Sequence, residues 1–221
     1  MLRIMILGAH PDDPDSGAGG LIALLSENGH EVIAVSFTRS GLTGKMGSFE
    51  ENARINEREA IMAFQLLGAK IIFLNFKDGN VWVTRESLED VREVLEKHAP
   101  DLVITHWPID THSDHRSVGI LTIGAVRKIA SEKRPLLYFY EVMTGVQTHC
   151  FIPEIYIDIT EKAEIKKKAC YLHKNCFPET WYPVHEKMMK FRGLEMGVKY
   201  AEAFISYEKK YVHVLKNLIK T

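Results

Sequence analysis

Short, wholly apolar runs alternate with amphipathic stretches along the first 140 residues, and that alternation leaves few folds open to the chain. Ile4–Leu7 is apolar without any polar alternation and is closed by Gly8; Ala18–Asn28 then places Leu21, Ile22, Leu24 and Leu25 at helical spacing and stops at Gly29. A strand without a polar face has to be covered on both sides, which is the signature of a parallel sheet with helical crossovers. The unit recurs. Glu31–Phe37 reads as a second strand, Glu50–Leu67 as a long helix closed by Gly68, and Lys70–Leu74 as a third strand. Glu86–His98 reads as a helix ended by Pro100, Leu102–Thr105 as a fourth strand, and a helix from about Ser117 leads to a fifth strand at Leu136–Tyr140. The expectation is an α/β chain with a Rossmann-like, doubly wound, mostly parallel sheet and right-handed crossovers. The last third is less regular, with a strand at Ile155–Ile159 and helices over 161–174 and 184–202. It reads as an irregular α/β extension (146–221) on a core sheet (1–145), all within one domain.

Composition removes whole classes of function. Lys and Arg number 28 against 29 Asp and Glu, a net charge of −1, so there is no basic excess to neutralise phosphates and no nucleic-acid partner is expected. No apolar stretch approaches the roughly 18 residues of a membrane span, and the run before His10 is too short for a signal-peptide core. The three cysteines, Cys150, Cys170 and Cys176, are odd in number and form no Cys-x-x-Cys pair, so neither a disulfide framework nor a cysteine zinc site is implied. The expected setting is cytoplasmic.

The chemistry is concentrated in two loops. If the first three strands wind outward and the chain then returns, the fourth strand lies beside the first, and the loops after Gly8 and Thr105 face each other at the switch point. The first loop is Gly8-Ala9-His10-Pro11-Asp12-Asp13-Pro14-Asp15. His10 stands where a dinucleotide fingerprint needs its second glycine, and three carboxylates would repel a pyrophosphate. What remains is an imidazole and a carboxylate three residues apart, able to converge on one cation while Asp12 points into the cavity. The plain alternative is an N-capping aspartate beside a satisfied histidine. The second loop, His106-Trp107-Pro108-Ile109-Asp110-Thr111-His112-Ser113-Asp114-His115, holds three His and two Asp in ten residues. Two histidines, a carboxylate and an open fourth position make the ligand set of a catalytic zinc.

Taken together, His10-Pro11-Asp12-Asp13 with Gly17, Gly19 and Gly20, and His112-Ser113-Asp114-His115, resemble the LmbE/PIG-L family of zinc-dependent N-acetylglucosamine deacetylases. The likeness extends through Phe76-Lys77-Asp78-Gly79, Pro100-Asp101-Leu102-Val103, Lys168-Ala169…His173 and Gly197–Phe204. The resemblance implies one Zn²⁺ per chain on His10, Asp13 and His115, with Asp12 as general base. It further implies His112, oriented by the Asp114 carboxylate and thereby favoured as imidazolium, steadying the oxyanion. A small-molecule amino-sugar conjugate as substrate and a homo-oligomeric state follow from the same likeness. Asp78 and Arg54 become candidate substrate contacts, as does Trp107, which could stack on a sugar ring or simply pack at its strand end. Two departures stand out: Asp15 replaces a family Glu, and Asn56 stands where the family places an Arg three residues before Glu59. The loss of that Arg points to neutral rather than anionic substrates unless Arg39, Arg54 or Arg58 swings in.

Outside the loops the residues read as structural. His173 reads as a helix histidine serving structure or lining the site, Cys170 and Cys176 as apolar filler, and Lys166-Lys167-Lys168 as a solvated helix face. Two other functions remain on the residues alone. Carboxylate-rich loops also hold Mg²⁺ or Mn²⁺ in phosphoesterase-like hydrolases, and a sugar-binding protein without catalysis could keep the same pocket.

Overall fold

The computed structural model describes residues 1–211 and 213–219. Strands β1 (Arg3–Gly8), β2 (Glu31–Ser36), β3 (Lys70–Phe73), β4 (Leu102–His106), β5 (Leu136–Tyr140), β6 (Ile155–Asp158) and β7 (Ala201–Ser206) form one seven-stranded sheet in the order β3-β2-β1-β4-β5-β7-β6. The five strands of the apolar runs are parallel, with Ile6 of β1 paired to Ala34 of β2 on one side and to Ile104 of β4 on the other. β7 runs antiparallel to both β5 and β6. The winding direction reverses between β1 and β4, as the order of apolar runs predicts.

The unbroken apolar character of β1 has a direct cause. Ile4 and Ile6 enter one core with Leu21, Leu25, Phe64 and Phe204, while Met5 and Leu7 enter a second core with Val91, Leu95, Val103 and Leu121. Helices α1 (Asp13–Glu27) and α2 (Phe49–Leu66) supply the first layer; α3 (Arg85–His98) and α4 (Ser113–Lys128) supply the second. Helices α5 (Ala163–Cys170) and α6 (Pro178–Met196) extend the first layer, and a last turn, α7 (Val214–Asn217), follows β7.

Several boundaries differ from the sequence expectation. α1 begins at Asp13, inside the acidic loop, and not at Ala18; the chain kinks at Ala18 (φ −139°, ψ 21°), and the periodic apolar residues belong only to its second half. That half has a cap of its own: Glu202 of β7 accepts hydrogen bonds from the backbone N–H groups of Gly20 and Leu21, both at 2.8 Å. α4 likewise starts four residues early, because the His112 side chain accepts the Asp114 N–H and so acts as its N-cap. In the last third, the stretch expected as helix over 184–202 is displaced: α6 starts at Pro178, carries Pro183 inside it, and yields to β7 from Ala201. Lys166 is fully buried and paired with Glu202 at 2.7 Å, not on a solvated face. His173 lies just beyond α5, at the start of a 3-10 turn, and its ring meets the buried Asp15 carboxylate at 3.1 Å.

Candidate active site

At the C-terminal ends of β1 and β4 the two loops close the floor of a cavity of about 260 Å³. The first loop turns tightly: a Cβ on Gly8 would stand 2.7 Å from Pro14 Cδ and 2.8 Å from Asp13 Cβ, so a side chain there would force the helix start away. The result brings Asp12 to the N-cap of α1 without using it as a cap. Its side chain makes no capping bond, and its carboxylate lines the cavity. Burial first, then the neighbouring Asp13, raises the Asp12 pKa above the usual carboxylate range.

His10, Asp13 and His115 are all buried and bring ligand atoms within 4.8 Å of one another; His10, His112 and Asp114 form an overlapping second group. In the first group Asp13 is the centre. Its Oδ2 lies 3.3 Å from His10 Nδ1 and its Oδ1 lies 3.4 Å from His115 Nε2. Every ligand in this group has a partner behind it. His10 Nε2 faces Asp78 at 3.2 Å and Asp114 at 3.6 Å, and His115 Nδ1 faces Asp110 at 3.3 Å. Asp13 Oδ2 accepts from the His10 backbone N–H at 2.7 Å and meets His106 Nε2 at 3.0 Å. A carboxylate behind each histidine, fixing the ring and its basicity, is the arrangement that metal-binding histidines use.

The electrostatics fit a cation. Burial would push His10 and His115 down, yet Asp13, with Asp114 and Asp78 for His10 and Asp110 for His115, raises both; His115 reaches about 9. Burial would raise Asp13, but His115, His106 and His10 hold it well below the usual carboxylate range. Donors that hold protons so tightly, so close together, exchange them for a divalent ion when one binds. Nitrogen and carboxylate donors with a cavity on one side suit zinc in an open site.

Three residues gain roles that the sequence left unassigned. His106 stacks on His115 (4.1 Å between centroids, 11° between planes) and touches Ala9 N–H, Asp13 and the Tyr140 hydroxyl. Burial, then His115, lowers its pKa to about 4, so it is a neutral buttress for Asp13 and His115. Asp110 faces His115, accepts the His112 N–H at 2.8 Å and the Thr148 hydroxyl at 2.9 Å, and so ties the ligand loop to the 142–148 wall. His185 of α6 lines the cavity. The first two lie within the His/Asp-rich loop and were visible as residue types; His185 is a lone histidine on an irregular stretch, with no local signal.

The expected site residues separate in space. Asp78 lines the cavity, accepting the Leu42 N–H at 2.8 Å. Arg54 is exposed on α2, and Trp107 packs edge-on against Phe139 and Phe151; neither lines the cavity. Asn56 is fully buried, donating to the Ser40 and Thr43 carbonyls at 2.6 and 2.9 Å and accepting from Asn175 at 2.7 Å. Asp114 departs from its expected role: its carboxylate accepts the Gly79 and Val81 N–H groups, and only its backbone N–H reaches His112 Nδ1, at 3.2 Å. With Nδ1 accepting, the ring proton of His112 sits on Nε2. Burial, then His10 and His115, lowers the His112 pKa, so it offers a neutral N–H donor in place of the expected imidazolium.

Residues 5–126, more than half of the chain, match the PIG-L family of GlcNAc-PI de-N-acetylases. The chain belongs to the PIG-L family. Relatives match three quarters or more of its length. A diacetylchitobiose deacetylase from Thermococcus kodakarensis is 28% identical, covering 96% of this chain and 85% of that protein. The solved N,N′-diacetylchitobiose deacetylase from Pyrococcus horikoshii is 30% identical with a TM-score of 0.83, covering 96% of this chain and 86% of that one. A 4-oxalmesaconate hydratase from Pseudomonas putida is 25% identical, covering 75% of this chain and 70% of that protein. The named relatives thus carry two different kinds of reaction in their names, a deacetylation and a hydration.

Proposed function

We propose that this chain hydrolyses the acetamide of an uncharged N-acetylglucosamine-type substrate, releasing acetate and a free amine, with one zinc ion held by His10, Asp13 and His115. The observation that carries the reading is the Asp12 carboxylate, spent on no cap and left facing the cavity beside that triad. When bound, zinc would supply the charge that makes a water nucleophilic near neutral pH and polarises the amide carbonyl. The residues of the chain do the rest. Asp12 accepts the proton of the attacking water and returns it to the leaving amine, a role its raised pKa suits. His112, fixed through Nδ1, presents Nε2–H as a donor for the developing oxyanion. Asp78 and Asp114 hold His10, and Asp110 holds His115.

The lining argues for a neutral substrate. Among the described residues that form it are Asp12, Asp13 and Asp78 but no Lys or Arg. A malate or phosphate conjugate finds no Lys or Arg there to pair with its added charge. We further take the protein to act as one domain over residues 1–221, in the cytoplasm and as a homo-oligomer. No helix among the described residues is long and apolar enough to cross a membrane.

Acetate release across neutral and malate-linked N-acetylglucosaminides, alongside elemental analysis, tests the reading. One zinc-class metal per chain is expected, with about ten- to a hundredfold higher kcat/KM on the neutral compounds, the scale of one missing charge-assisted contact. Two hard cations per chain would favour a phosphoesterase. Preference for the malate-linked compound would remove the neutral-substrate reading.

A further inference from the structure

His185 is a buried imidazole to which the mechanism gives no task. It sits on α6 with 1% of its surface exposed and forms part of the cavity wall with Trp181 and Cys176. Its Nδ1 is sealed from solvent with no hydrogen-bond partner among the described residues, and none of the described residues bonds Nε2 either. Its neighbours hold it without satisfying it. Trp181 meets the ring edge-on, 5.8 Å between centroids at 85°, and the Trp181 N–H is already given to the Cys176 carbonyl at 2.9 Å. A ring with one nitrogen sealed and unpaired and the other open to a cavity is costly and rare in a native fold, and a ligand in the cavity can supply a partner for the open nitrogen.

We infer that His185 is a specificity-determining residue of this site, donating a hydrogen bond from Nε2–H to a hydroxyl oxygen of the sugar. The choice of nitrogen follows from the enclosure. Leaving a lone pair unpaired on the sealed Nδ1 costs less than burying an N–H there, so the proton goes to Nε2, the nitrogen left for the cavity. Burial, then Lys166, depresses the pKa to about 3, so the ring is a neutral donor at any working pH and cannot serve as an acid. The same lining presents Asp78, an acceptor for a hydroxyl proton. A donor and an acceptor in one lining suit a polyol, and a neutral imidazole adds no affinity for an anion. The inference rests on the amino-sugar reading for the identity of the ligand, but the unpaired ring does not.

The test uses the zinc-loaded full chain with His185→Leu and His185→Gln. Leu removes the polar ring at similar volume. The free His185→Leu protein should unfold about 2–4 °C higher than wild type, since an unsatisfied buried group has gone. On N-acetylglucosaminides its KM should rise about three- to tenfold with metal content unchanged. His185→Gln, which keeps an N–H donor, should recover most of the KM. Substrates lacking one ring hydroxyl at a time should locate the partner: on the matching deoxy sugar, wild type and His185→Leu should have equal KM. A lower unfolding temperature for His185→Leu, or unchanged KM on every active substrate, would overturn the inference. If wild type turns over no N-acetylglucosaminide, the deacetylation reading fails on its own, and the unfolding arm still decides: a rise supports a ligand-facing ring, a fall makes His185 structural.

Discussion

Two buried charge clusters share helix α1, and they are built on opposite rules. At the middle of the helix, Glu202 is saturated: it accepts from the Gly20 and Leu21 N–H groups and from Lys166 Nζ, at 2.8, 2.8 and 2.7 Å. At the N-terminus, Asp12 is spent on no cap, and His10, Asp13 and His115 crowd ligand atoms within 4.8 Å of one another around a common point. Burial alone does not separate function from structure here. Saturation does. Where each donor has its acceptor, the cluster holds the fold; where acceptors outnumber donors beside a cavity, it waits for a cation and a substrate.

The sharpest way to break the comparison is Asp12→Asn. The change keeps shape and removes only the proton acceptor, so turnover should fall about 10²–10⁴-fold. Metal content and unfolding temperature should stay at wild-type values, because the carboxylate caps no helix and is not one of the three proposed ligands. Acetate-release rates and metal analysis on the same preparation check both halves. A wild-type rate would move the base elsewhere; metal lost with activity would make Asp12 a ligand.

Lys166→Met attacks the saturated cluster and should do the reverse. Glu202 would be left as an uncompensated buried carboxylate, a loss of about 3–5 kcal/mol in stability by denaturant unfolding. Whatever fraction stays folded should keep its kcat, and adding Glu202→Gln should recover part of the loss by removing the stranded charge. If Lys166→Met unfolded normally, the pair would not be the lock on α1 that the two N–H bonds to Glu202 describe.

How far each cluster could be read from the sequence follows the same division. The site was legible because its residues lie in two short segments that the apolar runs place side by side: His10, Asp12 and Asp13 after β1, and His112 and His115 after β4. The saturated pair was not, because Lys166 finds its partner 36 residues later, on a strand that the sequence pattern gave to a helix. The parallel strands β1–β5 declare themselves through apolar runs. β7 carries Glu202 as the second of its six buried residues, and that single charge conceals it. The starts of α1 and α4 are hidden for a local reason, since neither Asp12 nor His112 caps as its residue type suggests: the Asp12 side chain makes no capping bond, and His112 caps with a ring nitrogen. The orientation of Asp114 toward Gly79 and Val81 belongs to the same group, a long-range backbone contact with no trace in spacing.

Asp110→Asn sharpens the contrast at intermediate size, since this residue stands between the two rules. Its Oδ1 faces His115 Nδ1 and accepts the His112 N–H, and its Oδ2 accepts the Thr148 hydroxyl. The amide would keep part of this pattern but lose the charge that makes His115 a strong ligand. Metal affinity should drop about 10–100-fold in competition with a chelator. Saturating metal should restore most of the turnover. Unchanged affinity would mean that His106, stacked on the same ring, suffices to fix His115.

The smallest effect belongs to Trp107, and its smallness carries the information. An aromatic just past the end of β4, within the His/Asp-rich loop, is an inviting sugar platform, yet its ring is spent on Phe139 and Phe151 and its N–H on the His149 carbonyl at 3.1 Å. By the saturation rule it is structural. Trp107→Phe keeps an aromatic face and loses the hydrogen bond, so stability should fall by about 0.5–1.5 kcal/mol while KM on neutral N-acetylglucosaminides stays within about twofold of wild type. Arg54→Ala, at an exposed position on α2 outside the cavity, should likewise leave KM in place. A tenfold rise in KM for Trp107→Phe alone would show the sugar reaching past the cavity rim to a group already satisfied by the protein. Saturation would then cease to separate the two kinds of cluster, and the case for His185 as the specificity contact would weaken with it.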